Sequence, residues 1–99
     1  MNIKIQSLHF DADKKLIEFI EQKVGKLSQV ADDTIGAEIV LRIENSDTND
    51  NKAAEILINI PHAPDAFARR QTKSFEESVD LAVAALRRQL KKLKQKQRE

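Results

Sequence analysis

Near its C-terminus the chain places apolar side chains at Val79, Ala82, Val83, Leu86, Leu90 and Leu93. At ~100° per residue these fall in one stripe along an α-helix. Ser74 and Glu77 have the spacing of a capping box and open that helix at about Phe75. It runs to about Gln97, ~34 Å at ~1.5 Å per residue. A long helix with a single apolar stripe must lie on another apolar surface, so the first question is what surface the remaining residues can build.

They build a sheet. Met1–Gln6 alternates, with Ile3 and Ile5 on one face and Lys4 and Gln6 on the other. Ala37–Glu44 alternates with Ala37, Ile39, Leu41 and Ile43 expected inward, and Ala53–Ile60 with Ala54, Ile56, Ile58 and Ile60. The polar stretch NSDTNDNK between these two runs predicts a turn, and the pair a hairpin. Pro61 and Pro64 end the third strand, because proline cannot donate to a ladder. A fourth strand is expected over Asp65–Thr72; its inward phase is either Ala66, Ala68 and Arg70 or Phe67 and Arg69, and the first is preferred because small alanines suit close helix contact, with Arg70 near the strand's exposed end.

Between the first two strands, Leu16, Ile20, Val24 and Leu27, with Phe19 beside them, have helical spacing. Asp11 or Asp13 offers the N-cap. Lys15, Lys23 and Lys26 border this stripe. The order is β-α-β-β-β-α, read as one α+β domain over residues 1–99. A right-handed crossover makes the first two strands parallel. Both helices are expected on one face of a four-stranded sheet, an arrangement like that of double-stranded-RNA-binding domains.

Charge is distributed unevenly. Residues 1–86 hold 10 Lys and Arg against 15 Asp and Glu, whereas 87–99 hold 7 against 1. Salt screens exposed charge beyond ~8–10 Å, so the local surplus at 87–99 governs what approaches this end. Three arguments set this run apart from an ordinary solvated face. No acid stands at i,i+4 to Lys91, Lys92 or Lys94 within the helix. The helix dipole favours cations only within about the last turn. Strands of five or six residues span only ~17–20 Å, so the helix end should overhang the sheet. These features point to a polyanion, with Lys23 and Lys26 extending the patch if the helices lie side by side.

Other chemistries find little support. His9 and His62 have no ligand-spaced partner and no adjacent nucleophile, so no enzyme site or metal is expected. Asp47 and Asp50 lie in a turn without the glycine and terminal glutamate of a calcium loop. Two glycines make no phosphate cradle, and no cofactor is implied. There is no cysteine and no apolar run of ~20 residues, which fits a soluble cytoplasmic protein. The Leu86, Leu90 and Leu93 stripe with its lysines could suit a membrane surface, but the stripe continues inward to Val79 and is explained by core packing. RNA is favoured over DNA: no recognition helix is apparent, and without Trp or Tyr, and with four Phe that read as largely structural, contact would run through phosphate and shape.

The run SFEESVDLAVAALRRQLKKLKQKQ resembles the last helix of the ribosome hibernation promoting factor family, which includes the ribosome-associated inhibitor A proteins. Leu86, Arg88, Gln89, Leu90, Lys92, Lys94 and Lys96 occupy its L-x-R-Q-L-x-K-x-K-x-K pattern. LIEFIEQKVGKL at 16–27 is similar to the family's first helix, with Lys23 and Lys26 at its lysine positions. The chain differs in Glu76, Glu77 and Ser78, in Ala85 where many relatives have lysine, and in the basic Arg69 and Arg70.

The resemblance implies a non-enzymatic translation inhibitor. Its partner would be the small ribosomal subunit, through 16S ribosomal RNA and neighbouring proteins, with no membrane and no small-molecule substrate. Occupying the channel between head and body, it would block messenger RNA and A- and P-site transfer RNA in starvation or stationary phase. The implied contacts are Lys23, Lys26, Arg88, Lys92, Lys94 and Lys96; the local charge pattern adds Arg87 and Lys91. The chain resembles the short form, with a basic helical end at about 87–99 and no second, dimerising domain. A piece of a longer member would read the same. The alternative is a generic structured-RNA-binding or helix-mediated interaction module without ribosome specificity.

Overall fold

A computed structural model describes residues 1–98 apart from residue 32, and side chains within the last helix as far as residue 94. The elements are β1 (Asn2–Leu8), α1 (Lys14–Gly25), a 3-10 turn (Lys26–Gln29), β2 (Gly36–Ile43), β3 (Lys52–Asn59), β4 (Ala66–Thr72) and α2 (Phe75–Arg98). The sheet has spatial order β1-β2-β3-β4; β1 and β2 are parallel and the other pairs antiparallel. This is the α+β order expected from the periodicities. The strands keep close to the expected bounds, with the first extended to Leu8, and the first helix yields to a 3-10 turn at Lys26.

Both helices cover the same face. Register aligns Ile3 with Ala37 and Ile5 with Ile39, and Ile39 with Ile56 and Ile56 with Ala68, so the inward residues form continuous rungs. Ile20, Val24 and Leu27 from the α1 side and Val79, Leu86 and Leu90 from α2 pack on them. Ala54, Ala66 and Ala68 are buried with them, which lets the helix layer approach closely. The fourth strand therefore has the expected phase. At β2's start, a Cβ on Gly36 would lie 3.2 Å from the Asn2 carbonyl oxygen, closer than ordinary contact, so glycine permits the tight parallel pairing there.

Local signals fix the helix starts. Of the two candidate caps, Asp13 is used: its carboxylate accepts from the Leu16 N–H at 2.8 Å. Ser74 Oγ accepts from the Glu77 N–H at 3.2 Å, while the Ser74 N–H goes to Thr72 Oγ1 at 3.3 Å. The hydroxyl of the preceding strand thus serves the Ser74 N–H, the role the Glu77 side chain has in a full capping box. Phe10 and Phe75 stack with centroids 4.9 Å apart, tying the β1–α1 loop to the start of α2.

Two expectations are corrected. Ile43 is 49% exposed rather than inward. It pairs with Lys52 one residue past the last β1 partner, Arg42 opposite Leu8, where the sheet has lost its first strand. Phe67 is not a structural aromatic: it is 49% exposed on the uncovered face.

Candidate nucleic-acid interface

α2 is anchored at both ends of its buried stripe. At the start, Ser78 is fully buried. Its hydroxyl donates to the Lys52 carbonyl at 2.6 Å and accepts from the Thr72 N–H at 3.1 Å, bridging β3 and β4 to the helix. Val79, Ala82, Val83, Leu86 and Leu90 then stay in the core, and Leu93 packs against it in part. Beyond Leu90 the ammonium of Lys94 reaches the Val30 carbonyl at 3.3 Å. The backbone continues helical to Arg98. At ~1.5 Å per residue α2 is ~36 Å long, against a longest dimension of 46 Å for the protein.

Charge follows the same axis. The acids Glu76, Glu77 and Asp80 occupy the first turns, and every charged residue from Arg87 to Arg98 is basic. Arg88, Lys91 and Lys92 are exposed, and Arg87 and Lys94 are half-buried. Among the described residues, none of these five lies within ion-pairing distance of a carboxylate. The Lys96 side chain lies outside the described residues.

The α1 side separates its two lysines. Lys26 is exposed in the 3-10 turn, which packs against α2. Lys23 is engaged within the fold: its ammonium is 3.3 Å from the Asp80 carboxylate of α2 and 5.7 Å from the centre of the Phe19 ring. Lys94 is likewise committed, to Val30. The candidates thus divide into an outward set, Lys26, Arg88, Lys91 and Lys92 with the half-buried Arg87, and two lysines that join the helices.

Such an arrangement offers cations at fixed spacing on a rigid rod, which suits phosphates. Among the described residues, no three His, Cys, Asp or Glu side chains come together as a metal site. Among the described residues, no helix is long and apolar enough to cross a membrane.

Residues 3–98 match the family described as Sigma 54 modulation protein / S30EA ribosomal protein. The chain belongs to this family. The hibernation promoting factor resemblance read from the two helices is therefore one of membership, and the family is one of non-enzymatic, ribosome-associated binding factors. Among solved structures, the chain is similar to the Thermus thermophilus Protein Y N-terminal domain, with 22% identity and a TM-score of 0.80 over 94% of this chain and 99% of that one. It is also similar to a ribosomal subunit interface protein from Coxiella burnetii, with 22% identity and a TM-score of 0.82 over 95% and 98%. These likenesses establish the fold. No curated protein matches the sequence significantly.

Sequence reasoning found the cations of this S30EA-family chain but missed two features beside them. The Asp80 partner of Lys23 lies on another helix, and only tertiary packing brings it there. The exposure of Phe67 did have a signal, because a strand that buries Ala66 and Ala68 must turn Phe67 outward.

Proposed function

We propose that this protein is a translation inhibitor that binds the small ribosomal subunit and holds ribosomes silent during starvation or stationary phase. It sits in the channel between head and body and excludes messenger RNA and A- and P-site transfer RNA by volume. Its place of action is the cytoplasm. The observation that carries this reading is the outward cation set on an anchored helix in a member of a ribosome-associated family. The contacts are phosphates of 16S ribosomal RNA, taken by Lys26, Arg87, Arg88, Lys91, Lys92 and Lys96, with Lys23 and Lys94 at the border of the patch. Nothing is cleaved or transferred. Occlusion needs only a rigid body of this size and enough charge–phosphate contacts to retain it.

Sedimentation with purified 30S and 70S ribosomes tests the proposal. Wild type is expected to travel with the ribosome, to be displaced by saturating transfer RNA, and to lose binding in Lys92→Glu/Lys94→Glu. Protein left at the top of the gradient, or binding indifferent to transfer RNA, would overturn it. The second outcome would favour a general structured-RNA-binding module.

A further inference from the structure

The face of the sheet opposite the helices breaks the polar-outward alternation usual for a solvated antiparallel face. Phe67 on β4 stands directly opposite Leu57 on β3, and Val40 on β2 lies beside them. The three line a shallow depression with Glu38, Arg42 and Glu55. The guanidinium groups nearby are already committed. Arg42 Nε donates to Glu55 at 2.8 Å, and Arg69 lies 3.7 Å from Glu44. The patch therefore has an aromatic face and an apolar floor but little unpaired positive charge for a phosphate.

It is also continuous with the basic helix. Gln89 Nε2 of α2 donates to the Phe67 carbonyl across the free edge of β4 at 3.0 Å. The neighbouring Arg88 is exposed, as is Lys92 less than one turn beyond Gln89. The next edge carbonyl, that of Arg69, accepts from Arg70 Nη1 at 2.8 Å. Both acceptors are thus occupied by side chains of the fold itself, which disfavours an added β-strand at this edge. What joins the helix face to the sheet face must cross the edge without pairing to it.

We propose that Phe67 stacks one unpaired base of the RNA whose phosphates lie along α2, so that the RNA strand wraps the β4 edge from Arg88 and Lys92 to the open sheet face. The inference rests on the ribosomal RNA reading above and adds to it a base contact. The two surfaces divide the nucleotide between them. The helix takes the charged backbone, and the apolar patch, whose rim holds two carboxylates and one guanidinium, takes the flat base, which stacks on an aromatic ring whatever its sequence. Leu57 and Val40 would floor the pocket, and the carboxylates of Glu38 and Glu55 stand at its rim as acceptors for exocyclic amino groups.

The chain contains no Trp and no Tyr. Phe67→Trp is therefore a lone fluorophore at the site, to be titrated with 30S subunits and with single-stranded RNA of mixed sequence. Stacking predicts quenched emission in both titrations. Phe67→Ala and Phe67→Leu should each weaken 30S binding by about 5- to 150-fold, the range for losing one base–aromatic stack. They should leave the salt dependence unchanged, because no phosphate contact is removed. Phe67→Leu keeps an apolar side chain, and thermal melting of both variants checks that the fold is intact. Phe67→Ala binding within about twofold of wild type, well short of a lost stack, would overturn the proposal. So would Phe67→Leu binding as well as wild type, or Trp emission that shifts to the blue on 30S without quenching, which would place a protein surface on the patch. If Lys92→Glu/Lys94→Glu abolishes binding while the Phe67 variants bind normally, this inference alone fails. If wild type does not bind 30S, both readings fail.

Discussion

The division between outward and engaged cations can be measured as a salt slope. Neutralising a phosphate releases counterions, and each contact contributes about 0.7–0.9 to the slope of log affinity against log salt. Arg88, Lys91 and Lys92 are exposed and away from described carboxylates. Each should behave as one full contact. Arg88→Gln/Lys92→Gln should flatten the slope by about 1.4–1.8, and each lost contact removes about threefold of the affinity change between about 50 and 200 mM salt. Lys23 is different. Its partner Asp80 lies 3.3 Å away, and a phosphate must compete with that carboxylate. Lys23→Gln should change the slope by less than about half a contact, whereas Asp80→Asn, by releasing Lys23, should steepen it by about 0.7–0.9 and tighten binding. Fluorescence anisotropy of labelled protein on 30S subunits over this salt range reads these three variants and the single Lys92→Gln. If Lys23→Gln flattens the slope as much as Lys92→Gln, and Asp80→Asn has no effect, the assignment of Lys23 to the helix–helix contact is wrong.

Three further outcomes concern the scaffold. Ser78→Ala leaves the Lys52 carbonyl and the Thr72 N–H without their buried partner; one unsatisfied buried group costs ~1–3 kcal/mol, and a thermal melt should fall by at least about 5 °C. Leu90→Ala removes a side chain that is 1% exposed and seats the basic end of α2; urea unfolding should show a loss of ~2–5 kcal/mol, and a loss below ~1 kcal/mol would mean that the helix end is not docked. His62 has φ +61°, in the left-handed region. His62→Val should cost ~1–3 kcal/mol by calorimetry while His62→Gly costs nothing, and equal effects would refute strain at this turn.

The layers of the fold were legible because its core residues obey two simple periods. Ile39 and Leu41, Ile56 and Ile58, and Ile20 and Val24 were placed correctly by alternation or helical spacing alone. Ile43 obeys the same alternation and still faces solvent, because alternation fixes a face but not how far the neighbouring strand extends along it. Cap choice had a similar limit: Asp11 and Asp13 are chemically equal, and only the backbone turn decides for Asp13. Along the last helix, the one-dimensional charge run picked out Arg88, Lys91 and Lys92, and their helical phase leaves all three exposed. Lys23 and Lys94 have the same side-chain chemistry, but their partners, Asp80 and Val30, are far away in sequence. Residue type indicates available charge; tertiary contact decides which charge is available to a ligand.

The anchoring of α2 explains why a helix so poor in internal charge balance persists. Arg87 with Lys91, Arg88 with Lys92, and Lys92 with Lys96 stand at i,i+4, and like-charge pairs at this spacing cost a few tenths of a kcal/mol each, ~0.2–0.5. An isolated basic segment would fray under that repulsion. Here the same helix buries Val79, Ala82, Leu86 and Leu90, and burying one Val or Leu side chain contributes ~1.5–3 kcal/mol. The apolar half therefore outweighs the electrostatic cost of the cationic half, because both lie on one cooperative rod. Ser78 fixes the rod at one end, and Lys94, held by Val30, ties it down beyond Leu90. A flexible basic tail could carry the same charge, but each of its contacts would first have to order the chain. On α2 the spacing of the cations is set during folding, and the proposed binding would immobilise only side-chain ends. On the proposed reading, RNA phosphates would relieve the repulsion among these cations, and a charge pattern mildly unfavourable to the free helix would become an attraction in the bound state.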